Sequence, residues 1–226
     1  MNINKYIAQS GLTSRRGADE IVKAGRVTIN GAIAKLTDKV QEGDRVVVDG
    51  REISLETEKI YLIFNKPVGV ITTTDVNSPN NIIEYIKYPK RVFPVGRLDV
   101  NTSGLIILTN DGDFAQFVTK AKKIEKEYVV MVDKTIDAAF LSGLERGIKL
   151  DGYPTLPAKT KHLGDREFSI TICEGRNRQV RRMCEHFGYN VISLRRIRIG
   201  NLALNDLKEG QTKEMTPEQA KALMAN

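Results

Sequence analysis

The chain of 226 residues has no tryptophan and only two cysteines and two histidines. Cys173 and Cys184 lack the C-x-x-C spacing, so we predict buried, reduced thiols in a cytoplasmic protein. His162 and His186 have no cysteine or histidine companions at ligand spacing, so we expect no metal site.

Long apolar segments are also missing from the chain. No run of 18 apolar residues occurs, and no charged segment followed by an apolar one opens the sequence. We therefore expect a soluble protein that is neither exported nor inserted in a membrane. The length is enough for one large domain or two unequal domains with a buried core.

Positive charge is concentrated in one segment of the sequence. The chain has 35 Lys and Arg against 28 Asp and Glu, a net charge of +7. Between Gly175 and Gly200 there are seven arginines and a single acid, Glu185. Guanidinium groups suit bidentate phosphate recognition, so this segment indicates a nucleic-acid partner. The alternative is a basic face that is merely solvated.

Residues 1–50 are predicted to form a small separate domain. Two short helices, the second capped by Ser14, precede two strands that flank Asn30-Gly31, the strongest hairpin signal in a sequence. A further strand is predicted at 45–48. Residues 51–59 are polar and lack a regular pattern, which predicts a linker. The second domain then covers residues 60–226.

The second domain alternates predicted strands and helices irregularly. Strands are expected at 61–64, 70–74, 127–132, 168–173 and 191–204, and helices at 81–86, at 113–121, from a Thr135 cap to Arg146, and after Thr216. This order predicts an α+β fold with a mixed, mainly antiparallel sheet.

Asp99 lies in a polar turn between two apolar segments. Val92, Phe93 and Val95 precede the turn, and the apolar run 105–108 follows it as a predicted buried strand. A loop held by rigid strands can fix one side chain in a productive geometry. An aspartate in such a turn can also simply hydrogen-bond its own backbone.

A helix is predicted from Arg178 to Phe187. At about 100° per residue its two faces differ in character. The apolar face carries Val180, Met183, Cys184 and Phe187, and the opposite face carries Arg178, Arg181, Arg182 and Glu185. Three arginines are thus expected on one presented face.

Three stretches carry a resemblance to a known family. GRLDVNTSG followed by an apolar strand and TNDG resembles the active-site motif of the RsuA-type RNA pseudouridine synthases, as do the NKPVG turn and EGRNRQVRRM. RVFPVGRLD and RRMCEHFGY look like the RluF-type large-subunit branch, and the RluB-like and small-subunit branches share the core motifs. Residues 1–50 resemble the S4 RNA-binding domain.

The resemblance implies site-specific isomerisation of uridine to pseudouridine in ribosomal RNA, with 23S large-subunit RNA as the expected substrate. The target base in a stem-loop must be flipped out to be reached. The reaction implies no cofactor, no metal and no small-molecule cosubstrate, and we expect a monomer.

The resemblance also implies roles for single residues. By this resemblance Asp99 is the catalytic residue, Arg181 pairs with it and keeps it ionised, and Tyr128 stacks on the target base. Tyr128 either stacks only or also aids removal of the C5 proton, and we expect the second role because no histidine lies in any of the three stretches. Arg97 either contacts a phosphate or fills the gap that the flipped nucleotide leaves in the RNA stack, and the resemblance favours the second role. The full set of expected substrate contacts is Arg97, Asn101, Thr102, Arg178, Arg182 and Lys66. Expected phosphate contacts in the first domain are Lys5, Arg15, Arg16 and Lys23.

Two other functions are alternatives to this one. A non-catalytic RNA-binding assembly factor would need a defective site, although Asp99, Tyr128 and Arg181 are all present. A metal-dependent nuclease would use Asp99, Asp111 and Asp113, but the latter two fit better as turn and helix-start residues.

Overall fold

A computed structural model describes residues 1–121 and 123–225. The chain divides into two compact units. The smaller unit holds Met1–Ile60, Tyr88–Val92 and Asn110–Gly112. The larger unit holds Tyr61–Lys87, Phe93–Thr109 and the described residues from Asp113 onward.

The smaller unit begins with two short helices. Helix α1 spans Ile3–Gln9 and α2 spans Arg15–Lys23. The Ser14 side chain accepts a hydrogen bond from the Gly17 N–H, as its predicted capping role requires. The buried apolar faces of both helices join one core, made of Ile3, Ile7, Ala18, Val22, Val27, Ala34, Val40, Val46 and Val48.

A four-stranded sheet completes the smaller unit. Its strands are β1 (Val27–Ile29), β2 (Ala32–Ile33), β3 (Val46–Val48) and β4 (Arg51–Ile53), in the order β2-β1-β3-β4. The predicted hairpin is present, with Ile29 opposite Ala32. Residues 51–53 were expected in the linker but form β4, because their main chain pairs with β3 across the Asp49-Gly50 turn.

The larger unit is built on one extended sheet. Its strands are β5 (Tyr61–Lys66), β6 (Phe93–Pro94), β7 (Ser103–Thr109), β8 (Lys126–Val132), β11 (Lys159–Gly164), β12 (Glu167–Ile172), β13 (Val191–Ile199), β14 (Leu202–Ala203) and β15 (Thr212–Glu214). The order is β11-β12-β8-β13-β7-β5-β15, with β14 on β13 and β6 on β7. In the described strands only β13 and β7 pair in parallel, so the predicted α+β class with a mainly antiparallel sheet is confirmed.

Helices and one small hairpin surround this sheet. They are α3 (Ile82–Ile86), α4 (Gly112–Lys120), α5 (Ala138–Arg146), the hairpin of β9 (Lys149–Leu150) and β10 (Tyr153–Pro154), α6 (Gln179–His186) and α7 (Pro217–Met224). Strand β7 is buried from Gly104 to Thr109 and packs with α4 and α7 in one core. The Asp99 loop therefore leads directly into the most buried strand.

Two local predictions in the larger unit were also wrong. Residues 70–74 are not a strand: Ile71 forms only an isolated bridge to Asn81. Helix α5 is capped by Asp137, whose side chain accepts from the Phe140 N–H, and not by Thr135. A carboxylate two residues later on the same turn supplied the stronger acceptor. None of the described helices is long and apolar enough to cross a membrane.

Candidate active site

A cavity of about 320 Å³ opens in the larger unit beside the Asp99 loop. Its walls come from that loop, from β8, from the turn that precedes α6 and from β13. Five predicted site residues line it: Arg97, Asp99, Thr102, Tyr128 and Arg178. The larger unit thus brings together in one cavity residues from three separate sequence motifs.

Hydrogen bonds to two main-chain carbonyls hold the Asp99 loop on both sides of the aspartate. The Thr72 hydroxyl donates to the Leu98 carbonyl at 2.8 Å, and the Gly69 N–H donates to the Val100 carbonyl at 2.8 Å. Gly69 is the last residue of the N-K-P-V-G turn, and Thr72 follows it three residues later. This turn therefore fixes the backbone from which the half-buried Asp99 side chain extends.

Lys66 belongs to the same turn, and its side chain is enclosed by the protein. It is fully buried, and its Nζ donates to the carbonyls of Pro67 and Val70, each at 2.8 Å. Burial lowers the pKa of Lys66 to about 8, while the charges of Asp99 and Glu209 oppose that shift. Lys66 does not line the cavity and anchors the turn next to the Asp99 loop, so its contact with substrate stays a prediction.

Arg181 is turned into the protein rather than presented on an exposed face. Its Nη2 donates to the Asn101 carbonyl at 2.7 Å and its Nη1 to the Val191 carbonyl at 3.1 Å. Burial and the nearby Arg178 lower the pKa of Arg181, and Asp99 opposes them through its charge. The expected direct pairing with Asp99 is not formed in the structure, because both terminal nitrogens bind main-chain carbonyls. Arg181 holds the loop and adds positive potential near Asp99.

The two other predicted arginines of this segment, Arg178 and Arg182, have different surroundings. Arg178 lines the cavity, is exposed, and lies 3.9 Å from Glu185. Arg182 instead forms a bidentate pair with Asp151 of the β9–β10 turn, at 2.7 and 2.9 Å, and does not line the cavity. The exposed Asn101 side chain does not line it either; its carbonyl serves Arg181.

Thr102 is a buried cavity residue with an unused hydroxyl. Its side chain is 2% exposed, and its Oγ1 has no hydrogen-bond partner in the described residues. Its N–H closes the turn by donating to the Asp99 carbonyl at 3.0 Å. A buried hydroxyl without a partner is costly, so a ligand atom in the cavity would satisfy it.

Tyr128 forms the opposite wall of the cavity, together with two cations that the sequence did not single out. Arg196 lies directly across the sheet from Tyr128, and it is only 5% exposed. Lys126 also lines the cavity, and burial followed by the charge of Arg196 lowers its pKa. Arg196 appeared in the sequence only as one of seven clustered arginines. Strand alternation could have marked it as inward-facing, since Leu194 and Arg196 share one parity.

Three of the four predicted phosphate contacts of the smaller unit lie on α2. Arg15 and Arg16 occupy the first turn of α2 and Lys23 its last turn, and all three are exposed. Arg16 and Lys23 are seven residues apart and so share one face. Lys5 on α1 is half-buried.

No group of three or more His, Cys, Asp or Glu side chains that could hold a metal ion occurs within residues 1–121 and 123–225. The two thiols of the chain are unpaired, and burial raises the pKa of the Cys184 thiol to about 12. Cys173 is half-buried rather than fully buried as predicted.

Comparison with known families gives the site its context. Residues 60–186 match the family model of RNA pseudouridylate synthases. The chain belongs to the RNA pseudouridylate synthase family. Residues 1–46 match the S4 domain, so the predicted resemblance of the first unit is confirmed as well.

Relatives resemble this pseudouridylate synthase over nearly its full length. The dual-specificity RNA pseudouridine synthase RluF of Escherichia coli K12 is 43% identical over 222 residues, which cover 97% of this chain and 77% of that protein. The ribosomal large subunit pseudouridine synthase B of Bacillus subtilis 168 is 41% identical, covering 99% and 95%. A crystal structure of a pseudouridylate synthase is 31% identical, with a TM-score of 0.72 and 99% of both chains covered.

Proposed function

We propose that this RNA pseudouridylate synthase isomerises a specific uridine of ribosomal RNA to pseudouridine, with large-subunit RNA as its substrate. The cavity that collects Asp99, Tyr128 and Arg97 is the observation that carries the proposal. The name of the relative from Bacillus subtilis supports the large-subunit assignment. We also propose that the protein works in the cytoplasm, as a monomer and without a small-molecule cosubstrate.

The reaction breaks the bond between N1 of uracil and C1′ of the ribose and forms a bond from C5 to C1′. The proton on C5 leaves and N1 gains one, so the net change is an isomerisation. Asp99 acts as the carboxylate that attacks ribose, attacks the base or removes a ribose proton. Each of these roles needs a carboxylate, and the charges of Lys66 and Arg181 place positive potential near it.

Tyr128 and Arg97 handle the flipped nucleotide. The Tyr128 ring stacks on the uracil, and its hydroxyl accepts the C5 proton while it passes its own proton to water. Arg97 is exposed at the cavity and occupies the place of the uridine in the RNA stack. Thr102 and Arg178 contact the substrate within and beside the cavity. The cationic face of α2 binds phosphate groups elsewhere on the RNA.

The decisive test is Asp99→Asn. We expect turnover to be lost while RNA affinity stays close to that of the parent, because the charge-neutral amide keeps the shape but not the chemistry. Tritium release from RNA labelled at C5 of uridine measures turnover, and filter binding measures affinity. Asp206→Asn removes the same charge from an exposed turn and is the matched control. Residual Asp99→Asn turnover within about tenfold of the parent contradicts the catalytic role.

The hydroxyl of Tyr128 is tested by Tyr128→Phe, which keeps the stacking ring. We expect at least about a hundredfold slower single turnover, the lower end of positioned acid–base help. Tyr189→Phe removes a hydroxyl bonded to the Thr135 carbonyl, away from the cavity lining, and serves as the control. Near-parental rates for Tyr128→Phe leave that residue with stacking alone.

The RNA substrate is tested by carbodiimide mapping of pseudouridine in cells with and without the protein. A single modified position that disappears from large-subunit RNA is expected. A position in small-subunit RNA or in transfer RNA reassigns the substrate, and no lost position supports the alternative of a non-catalytic assembly factor.

A further inference from the structure

We propose that Arg196 is a positioning residue that holds the Tyr128 hydroxyl in register with the strand leaving the Asp99 loop. This inference rests on the proposed proton role of Tyr128. The relevant contacts join three neighbouring strands of one sheet, so they are formed by the fold itself and not by an exposed side chain.

The backbone places Arg196 between both candidate catalytic elements. In strand β13 it lies opposite Gly104 of β7 on one side and Tyr128 of β8 on the other. Gly104 comes five residues after Asp99 in the same loop and strand. A Cβ atom at Gly104 would lie 2.1 Å from the Arg196 carbonyl oxygen, so only glycine permits this close approach. The position of Arg196 relative to the Asp99 loop is therefore sterically defined.

The guanidinium then connects the two strands. Its Nε donates to the Leu105 carbonyl of β7 at 2.7 Å, which orients the plane of the group. Its Nη1 lies 3.5 Å from the Tyr128 hydroxyl oxygen, and its Cζ lies 5.9 Å from the centre of the Tyr128 ring. A contact of 3.5 Å is long for a hydrogen bond, as catalytic contacts commonly are before substrate binds.

A contribution to stability does not explain why an arginine occupies position 196. Arg196 is 5% exposed, its Nη2 has no hydrogen-bond partner, and no ion pair compensates it in the part of the chain that the structure describes. Its strand neighbour Arg198 shows the contrast, because it pairs with both Glu125 and Glu127. A buried cation without an acid costs stability relative to an apolar side chain of similar volume.

The contact of Arg196 with the Tyr128 hydroxyl explains this buried arginine by its function. When Nη1 donates to the phenol oxygen, the hydroxyl hydrogen of Tyr128 must point away from Arg196. A positively charged donor also stabilises the negative charge that develops on this oxygen as its own proton leaves to water ahead of the C5 proton. Since Leu105 fixes the guanidinium, the oxygen is held at a set place relative to the Asp99 loop. Both catalytic groups then approach one uridine from defined positions.

A double-mutant cycle tests this coupling. Single-turnover rates on saturating RNA are measured for the parent, Arg196→Met, Tyr128→Phe and the double variant, with filter binding for affinity. Arg196→Met should slow the parent by about tenfold to a hundredfold, the range for loss of one hydrogen bond to a charged group, with RNA affinity unchanged. In the Tyr128→Phe background the same change should have almost no effect.

Arg195→Met is the matched control, since this exposed arginine is the adjacent residue of the same strand. It should leave the single-turnover rate unchanged. If Arg196→Met does not fold, as judged by circular dichroism melting, Arg196→Lys replaces it in the cycle. Lysine keeps the charge but reaches only one of the two partners, the Leu105 carbonyl and the Tyr128 hydroxyl. We therefore expect a smaller slowing, which again disappears in the Tyr128→Phe background.

The outcomes separate this inference from the proposed function. An equal slowing by Arg196→Met in both backgrounds overturns the positioning role and leaves the function intact. A loss of RNA affinity in place of rate would make Arg196 a substrate-binding residue and also overturn it. Near-parental rates for Tyr128→Phe remove the hydroxyl role and this inference together, while Asp99→Asn still reports on the function.

Discussion

Lys66→Met should change how the stability of this protein depends on pH. The parent lysine is fully buried, and its pKa lies at about 8 instead of the usual 10.5 because burial disfavours its charge. Below pH 8 both folded and unfolded chains carry the proton, so the full cost of burying the charge is present. Between about pH 8 and 10.5 the folded chain has lost this proton while the unfolded chain keeps it, so stability rises with pH.

The size of this pH-dependent gain in stability follows from the difference between the two pKa values. The difference between 10.5 and about 8 corresponds to a total change in the free energy of unfolding on the order of 3 kcal/mol. About 2 kcal/mol of this should be regained between pH 7 and pH 9.5. Methionine has no such titration, and the hydrogen bonds to Pro67 and Val70 survive in the neutral amine. The parent should therefore gain stability relative to Lys66→Met as pH rises.

Urea denaturation of both proteins at several pH values between 7 and 10 gives this difference directly, because all other titrations cancel. Lys213→Met, at an exposed position of β15, is the control and should show a constant difference from the parent. A difference between parent and Lys66→Met that stays flat, or that falls as pH rises, would falsify the reasoning.

Three further outcomes are expected. Replacing Arg16 and Lys23 by alanine in the full chain should weaken RNA binding and flatten the log-log salt slope by roughly 0.7 to 0.9 for each lost phosphate contact; an unchanged slope means that this face of α2 does not touch RNA. Gly104→Ala should lower the free energy of unfolding, measured by urea denaturation, by more than about 2 kcal/mol, because the φ of 106° and the Arg196 carbonyl both oppose a side chain. Gly112→Ala, at a position with open space around it, should cause no such loss. Turnover on prefolded RNA should persist in excess EDTA, and a loss that added zinc or magnesium restores, with the RNA still folded, contradicts metal-free chemistry.

Local chemistry decided most of the elements that were predicted correctly. Ser14 and Thr216 cap their helices as the residue pattern predicts, the latter within a complete capping box. The apolar run after the Asp99 turn is the buried strand β7. The alternation of segments also predicted the fold class. These features depend on side chains and backbone within a few residues of each other, which a single sequence contains.

Two errors concern strand pairing, the first with an adjacent strand and the second with a contact distant in sequence. Residues 51–53 look polar and irregular, yet pairing with β3 makes them a strand. Residues 70–74 look strand-like, yet they form a loop whose Thr72 hydroxyl binds Leu98. Strand propensity describes a side chain on a pleated surface and cannot say whether a neighbouring strand is available.

The sequence by itself determined the family of this protein and the identity of Asp99 and Tyr128 as candidate catalytic residues, since both lie in contiguous motifs. Only the tertiary structure decided what the basic residues do. Lys66 is buried under the loop, Arg181 binds carbonyls, Arg182 pairs with Asp151, and Arg196 contacts Tyr128. A long cationic side chain can serve solvent, backbone or substrate equally well, and which of them it meets depends on the packing of distant strands.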